Sequence, residues 1–269
     1  MSAKSREQGN TGIQIIVATH KRYPMPDDPM YLPLHCGRKG KEDLGYQGDD
    51  TGDNLSEYNA YLNEMTGVYW AWKNLDADYI GVAHYRRQFS RSAWPFHSVK
   101  KRFQYVLDRE TLLKRYLSRA DVVVPNKRRY WVETNRGHYA HSSPYRAAEL
   151  RLMETLLGEA GEEAYVRAFQ TVLNRRWAHM FNMYIMRRDL FDRFNRWQFP
   201  LLLKFEKHLD RSDYALTENR AFISELMLDT WLEANGIPYV ECPMMFMEQE
   251  HIIKKAWNML LRKFRFQTS

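Results

Sequence analysis

The chain has 269 residues, of which 44% are hydrophobic and 27% charged, with a formal net charge of +7 and a pI near 9.3. This length suits an α/β domain, and the basic balance favours a phosphorylated ligand, an anionic membrane surface or a nucleic acid as partner. The two cysteines lack metal-binding spacing, no apolar run is long enough to cross a bilayer, and residues 1–12 read as a flexible tail without a signal-peptide core. We therefore expect a cytoplasmic protein.

Two predicted strands end in basic and polar residues. The first covers residues 13–18 and continues into Thr19, His20 and Lys21; the second covers residues 79–83 and continues into His84, Tyr85, Arg86 and Arg87. In open α/β sheets, ligands bind outside the carboxyl ends of the strands. Because arginine binds oxyanions bidentately, the sequence predicts a phosphate-bearing ligand at this edge. The alternative is a surface loop whose arginines pair with acidic residues elsewhere.

A helix is predicted between these two strands, after a long loop over residues 22–52 with a short strand near 32–34. It runs from Asp53, whose side chain would cap the first turn, to about Asn74. Apolar residues recur along it at helical spacing, and a polar stripe that includes Asn59 and Lys73 lies beside them. The stripe borders either a ligand cleft or solvent.

The remaining chain continues the alternation of strands and helices. Strands are predicted over residues 121–125, 180–186 and 237–243, and helices over 103–119, 147–160, 162–173, 188–207 and 216–235. No internal repeat or linker divides the chain, which predicts a single domain over residues 13–250.

Two polar residues stand among apolar neighbours in these predicted elements. Asn182, inside the strand at 180–186, is either a structural pin or a ligand contact, because a buried amide needs hydrogen-bond partners. Glu225, in the last helix, is either a general base with a raised pKa or a helix-face glutamate paired with an arginine such as Arg220.

Several motifs are absent from the chain. It has no GxGxxG or P-loop pattern, no GxSxG elbow and no zinc-ligand spacing. It also lacks an RNA-recognition or helix-turn-helix pattern, and its charge is scattered, so a nucleic-acid partner is not expected.

Six blocks carry a resemblance to a known family. They are IVATHK at 16–21, GDNLSEYN at 52–59, NEMTGVYWAWKN at 63–74, GVAHYRR at 81–87, FNMYIM at 181–186 and NRAFISELM at 219–227. Together they resemble the DUF4422 family of capsular and exopolysaccharide biosynthesis glycosyltransferases. The family usually has GFxSERL in the last block, where this chain has Ala221 and Leu226 in place of the glycine and the arginine.

The resemblance implies a single GT-A-like nucleotide-sugar-binding domain, with a mostly parallel central sheet flanked by helices. It implies transfer of a hexose from a UDP-sugar, such as UDP-galactose or UDP-galactofuranose, to a saccharide acceptor of capsule, exopolysaccharide or O-antigen synthesis. The alternatives are a non-catalytic carbohydrate-binding protein and a basic nucleic-acid-binding module.

Roles for individual residues follow from the resemblance together with the strand-end pattern. Glu225 becomes the base that deprotonates the acceptor, which implies inversion at the anomeric carbon. His84 and Arg86 join it as catalytic groups that stabilise the leaving diphosphate. The nucleotide-sugar site is expected to comprise Thr19, His20, Lys21, Asp53, Asn54, Asn59, Lys73, His84, Tyr85, Arg86, Arg87 and Asn182, and Tyr139 and His141 would shape the sugar pocket.

No metal or other cofactor is assigned. In GT-A enzymes an Asp-x-Asp motif normally binds a divalent ion that neutralises the diphosphate. Here His84, Tyr85 and Arg86 stand near that position, so side-chain cations are expected to provide the charge. If Mg²⁺ or Mn²⁺ is used, the loop residues Asp49, Asp50 and Asp53 are its candidate ligands.

The C-terminal segment, residues 251–269, is predicted to be a basic amphipathic helix. Its apolar face contains Trp257 and several leucines, and lysines and arginines surround that face. Such a helix over residues 251–266 is suited to an anionic membrane surface, which would place the enzyme peripherally at the inner face of the membrane, near a lipid-linked acceptor. The alternative is a helix that packs on the domain or on a second subunit.

Overall fold

The structure is a computed structural model that describes residues 11–94, 97–141, 146–209 and 223–248. Short runs rich in apolar and β-branched residues form its strands. These are β1 Ile13–Thr19, β2 Tyr31–His35, β3 Gln47–Gly48, β4 Tyr79–His84, β5 Arg87–Phe89, β6 Val122–Pro125, β7 Arg128–Arg129, β8 Trp177–Ala178, β9 Tyr184–Arg187, β10 Val240–Cys242 and β11 Met244–Phe246.

Longer segments with apolar residues at helical spacing form the helices. These are α1 Asn59–Leu62, α2 Met65–Asn74, α3 Arg109–Thr111, α4 Asn135–His141, α5 Arg146–Glu159, α6 Glu163–Asn174, α7 Arg188–His208 and α8 Ser224–Asn235. Helices α5, α6 and α7 begin and end within one residue of their predicted bounds, so these predictions are confirmed.

Nine of the described strands form one sheet. Its main path runs β10-β6-β9-β4-β1-β2-β3, and β5 and β11 extend it at the end of β4. Strands β1, β2, β3 and β4 are mutually parallel, whereas β9 runs antiparallel to both of its neighbours. Helices cover the sheet, so the predicted mostly parallel sheet flanked by helices is confirmed.

Alternating side chains of the central strands fill two cores, one on each face of the sheet. On one face, Ile16, Ile80 and Val82 pack with the apolar sides of α2 and α5 to α8. On the other face, Ile15 and Val17 pack with apolar residues of the loops and of the π-helical turn Leu112–Leu117. Burial on both faces explains why β1 and β4 read as nearly continuous apolar runs.

The predicted helix over residues 53–74 is wrong in its first half. The chain forms a 3-10 turn at Ser56–Tyr58, then α1, and is broken at Asn63, which has a φ of 48°. Asparagine adopts such a conformation more readily than most residues. Asp53 therefore caps no helix, and its carboxylate instead accepts a hydrogen bond from the hydroxyl of Tyr69 at 3.1 Å.

Two further predicted elements are wrong in extent. The helix predicted over residues 103–119 is a 3-10 helix, Val99–Tyr105, followed by α3 and a π-helical turn, Leu112–Leu117. The strand predicted over 180–186 begins only at Tyr184. Phe181 and Asn182 lie before it in a left-handed turn, with φ values of 79° and 51°.

Some predictions fall outside the described residues. They include the tail at residues 1–10, Arg220 with the first part of the last family block, and the basic amphipathic segment 251–269. In the part of the chain that the structure describes, no helix is long and apolar enough to cross a membrane.

Candidate functional site

The basic ends of β1 and β4 lie side by side, because the parallel register sets Ala18 opposite His84. They open onto a cavity of about 620 Å³. The end of β2, the break between α1 and α2, and the start of α8 complete its wall. The lining residues are Ala18, Thr19, His20, Cys36, Lys41, Asn59, Asn63, Glu64, His84, Tyr85, Arg86, Arg87, Phe181 and Glu225.

The end of β1 turns sharply into this cavity. The hydroxyl of Thr19 donates to the carbonyl of Lys21 at 2.6 Å and accepts from the backbone N–H of Lys21 at 3.2 Å. His20 packs edge-on against the ring of Tyr85. Burial, and then the positive charge of Arg86, lower the pKa of His20, so this imidazole is favoured in its neutral form. The positive charge at this strand end therefore comes from Lys21.

One carboxylate bridges the cations of the two strand ends. Glu248 lies 3.3 Å from the ammonium of Lys21 through one oxygen and 4.0 Å from the guanidinium of Arg86 through the other. Lys21 and Arg86 also lie over the ring of Tyr85. The arrangement shows that the two cations can be engaged together by a single anionic group.

The imidazole of His84 is hydrogen-bonded to a backbone carbonyl. Its Nε2 lies 2.5 Å from the carbonyl oxygen of Phe181, which can only accept, so this nitrogen carries the proton. Burial, the largest effect, lowers the pKa of His84, and the charges of Arg87 and Arg86 act in the same direction, although that of Glu64 opposes them. A neutral His84 has no further N–H to donate to a phosphate, which removes the physical basis of its predicted phosphate contact.

Glu225 lies at the start of α8 with 8% of its surface exposed. Burial, followed by the negative charge of Glu64, raises its pKa to about 8, while Arg87 and Arg128 oppose this shift. A carboxyl group with such a pKa is suited to exchange a proton near neutral pH. Glu225 as general base stays a prediction, and Arg220, its partner in the alternative reading, lies outside the described residues.

The turn before β9, which contains Phe181 and Asn182, contacts Glu64, the start of α8 and Arg87. The side-chain amide of Asn182 donates to Glu64 at 2.7 Å and to the hydroxyl of Ser224 at 2.9 Å. The guanidinium of Arg87 lies 4.2 Å from the centre of the Phe181 ring. Asn182 is thus at least a structural pin, adjacent to the cavity wall.

Seven predicted site residues are not part of the cavity lining. Lys21 and Asn182 directly follow lining residues in the chain, and the other five make their contacts elsewhere. Asp53 bonds to Tyr69, and the side chain of Asn54 caps the turn around Ser56. Lys73 lies over the Trp72 ring on the far part of α2. Tyr139 is buried with Glu149 and Arg146, and the exposed His141 pairs with Glu133. Asp53, Asn54 and Lys73 belong to two of the family blocks, yet their side chains make contacts outside the cavity lining.

GT-A enzymes normally carry an Asp-x-Asp motif near the end of the strand that corresponds to β4. The residues at this place do not fit a divalent cation, because Arg86 and Arg87 bring positive charge there. The three loop aspartates are engaged elsewhere. Asp49 is fully buried and accepts hydrogen bonds from Gly37, Arg38, Ser56 and Thr66, Asp50 pairs with Arg38, and Asp53 bonds to Tyr69. Across residues 11–94, 97–141, 146–209 and 223–248, no group of three or more acidic, histidine or cysteine side chains is arranged to bind a metal ion.

Several cavity residues were not predicted: Cys36, Lys41, Glu64, Phe181 and, at the cavity mouth, Glu248. Glu64 lies within a family block, NEMTGVYWAWKN, and this was the available signal for it. Nothing local distinguishes Glu248 from other acidic residues of this charged chain.

The comparisons with known proteins agree with this architecture. A solved structure of WbbM, described as a bifunctional glycosyltransferase in its apo form, superposes with a TM-score of 0.78 and 26% sequence identity. The match covers 89% of this chain but only 46% of that protein, so the chain spans about half the length of WbbM. No curated protein matches the sequence.

The family profile described as a domain of unknown function, DUF4422, matches residues 14–236. This range contains all but the first residue of β1, then β2 to β9 and α8, and with them every residue of the cavity lining. The resemblance found in the six sequence blocks is thereby confirmed, and the chain belongs to the DUF4422 family.

Proposed function

We propose that this protein is a glycosyltransferase that moves a hexosyl group from a nucleoside-diphosphate sugar to a saccharide acceptor. The observation that carries the proposal is the cavity at the strand ends, which is lined by Arg86, Arg87 and the buried Glu225, with Lys21 linked to Arg86 through Glu248. The similarity to WbbM, itself a glycosyltransferase, supports the same class of reaction.

The transfer uses these groups in two roles. The acceptor hydroxyl gives its proton to the carboxylate of Glu225 as its oxygen forms a bond to the anomeric carbon. The bond from that carbon to the diphosphate breaks, and the electron pair leaves with the nucleoside diphosphate. Arg86, Arg87 and Lys21 stabilise the charge that develops on the leaving oxygens, since these cations stand together at the two strand ends. Direct displacement of this kind inverts the anomeric centre.

The finer assignment follows from the family resemblance. The donor is a UDP-hexose such as UDP-galactose or UDP-galactofuranose, and the acceptor is a saccharide, free or lipid-linked, in capsule, exopolysaccharide or O-antigen synthesis. Residues 251–266 would hold the enzyme at an anionic membrane surface, on the inner face, where lipid-linked acceptors are found. Co-sedimentation of the full-length protein with anionic vesicles tests that location directly.

The decisive experiment is a thermal-shift screen followed by an activity assay. A ligand that binds only the native state raises the melting temperature. We expect UDP to raise it more than inorganic pyrophosphate, GDP or ADP, and the best UDP-hexose to release UDP slowly in the presence of the protein. The absence of any shift with all nucleotides would remove the donor assignment, and a shift without UDP release or transfer would indicate a non-catalytic binding protein.

Glu248 provides a test of the diphosphate region that does not depend on turnover. Its carboxylate makes the contacts to Lys21 and Arg86 that phosphate oxygens would make, so the two anions compete. We expect Glu248→Gln to tighten UDP binding about two- to fivefold in calorimetry, in line with the modest free energy of exposed ion pairs.

The control is Glu57→Gln, which removes a surface charge paired with Lys39 that is 59% exposed, against 39% for Glu248, and is not part of the cavity lining. It should leave the UDP affinity unchanged. Weaker UDP binding by Glu248→Gln would mean that Glu248 orients the cations and does not compete with the ligand.

A further inference from the structure

Two carboxylates, those of Glu64 and Glu225, line the same cavity although they come from different elements. Glu64 precedes α2 and Glu225 lies in the first turn of α8. Glu64 lies within electrostatic reach of His84, the last residue of β4, and Glu225 within electrostatic reach of Arg87, the first residue of β5. The site therefore contains a second acidic group besides the base of the proposed reaction.

Asn182 fixes the position of Glu64 relative to α8. Its amide nitrogen donates to Glu64 at 2.7 Å and to Ser224, the neighbour of Glu225, at 2.9 Å. Asn182 itself is held in a left-handed turn with a φ of 51°, and its side chain is buried. A hydrogen bond donated to a carboxylate favours the charged form of that carboxylate.

The groups that face Glu225 come from four elements. Glu64 faces it from the start of α2, Arg87 from β5, Arg128 from β7, and the backbone of Phe181 from the turn before β9. Tyr130, after β7, also lies within electrostatic reach of Glu225. Glu64 is the acidic neighbour whose charge opposes ionisation of Glu225.

We propose that Glu64 is a positioning residue, held by Asn182, that keeps the proton removed from the acceptor on Glu225. This inference rests on the proposed glycosyl transfer. When two carboxyl groups share a site, their like charges favour a proton on one of them. Glu225 is buried whereas Glu64 is half-buried, so the proton resides on Glu225. The negative charge of Glu64 also makes Glu225 a stronger acceptor for that proton.

A titration of the carboxyl groups tests this assignment without any turnover. In the full-length protein with ¹³C-labelled glutamate side chains, the Glu225 resonance is identified by its loss in Glu225→Gln. We expect it to titrate near pH 8 in the wild type, and at least about one pH unit lower in Glu64→Gln, which removes the opposing charge but keeps the shape. Glu64→Asp, which restores the charge, should move the titration back towards the wild-type pH.

Glu57→Gln is the matched control, because it removes one exposed negative charge outside the cavity wall, and it should not move the titration. An unchanged Glu225 titration in folded Glu64→Gln protein would overturn the proposal. The kinetic counterpart is the pH profile of UDP release from the best UDP-hexose, whose acidic limb should shift to lower pH in Glu64→Gln.

The two proposals fail in different ways. If Glu225→Gln retains the wild-type rate and pH profile, the proposed base is wrong whatever the titration shows. If Glu225→Gln is inactive but the Glu225 resonance titrates identically with and without Glu64, the proposed reaction stands and the role of Glu64 is refuted.

Discussion

Arg86→Ala is expected to lower kcat/KM for the UDP-hexose by about two orders of magnitude, the usual consequence of removing one preorganised donor to a developing oxyanion. The guanidinium of Arg86 stands at the end of β4, over the ring of Tyr85 and near Glu248. Alanine removes the charge and both donors of the fork. The kcat/KM of Arg86→Lys should lie between those of the wild type and Arg86→Ala, because lysine keeps the charge but loses the bidentate geometry. The measurement is the initial rate of UDP release as a function of donor concentration.

Arg91→Ala is a suitable control for Arg86→Ala. The two arginines are equally exposed, with 47% of each side chain accessible, but Arg91 pairs with Asp108 and does not line the cavity. The control should retain wild-type kinetics. Normal turnover by a folded Arg86→Ala protein would be incompatible with a diphosphate at this strand end.

Glu225→Gln is expected to reduce kcat by about two to four orders of magnitude, the range for loss of a positioned general base. The wild-type enzyme should lose activity as the pH falls below about 8, because Glu225 must be ionised to accept a proton and its pKa is raised to about 8. The residual activity of Glu225→Gln should lack this dependence. Rates of UDP release between pH 5.5 and 9 provide the comparison.

Glu225→Gln is expected to lower activity but to raise thermal stability relative to wild type as the pH increases. The unfolded chain releases this proton near the ordinary glutamate pKa of 4.5, and the folded protein near 8. Between these values the unfolded state binds fewer protons, so this group makes the folded state less stable as the pH rises. Glutamine does not ionise, and we expect the melting temperature of Glu225→Gln, relative to wild type, to rise from pH 5 to pH 8.

Glu233→Gln, on the same helix, is the control for these measurements. Its carboxylate pairs with Arg175 and is 41% exposed, so neither activity nor the pH dependence of stability should follow the Glu225 pattern. A Glu225→Gln protein with wild-type kcat would exclude Glu225 as the base.

The elements that sequence analysis predicted well depend on local patterns. Strands β1 and β4 are apolar runs buried on both faces, and α6 and α7 each carry an apolar face at helical spacing. The spacing of side chains within a few residues is sufficient for such elements. Their bounds therefore agree closely with the structure.

The elements that were predicted wrongly depend on contacts from distant parts of the chain. The apolar run from Met180 to Met186 resembles one strand, yet Phe181 and Asn182 leave the sheet in a left-handed turn. That turn is held by the hydrogen bond from His84 and by those from Asn182 to Glu64 and Ser224. No local propensity encodes these partners, because each lies more than 40 residues away.

The sequence by itself determined that basic side chains follow two buried strands, and this pattern predicts an anion-binding edge at the carboxyl end of a parallel sheet. It also contained the blocks that define the family. Only the tertiary structure decided which acids share that edge, since Glu64, Glu225 and Glu248 come from separate segments and meet through packing of the whole fold. It likewise turned Asp53, Lys73 and Tyr139 away from the cavity. The physical reason is that strand and helix formation depend on neighbouring residues, whereas the position of a buried charge depends on the free energy of every group packed around it.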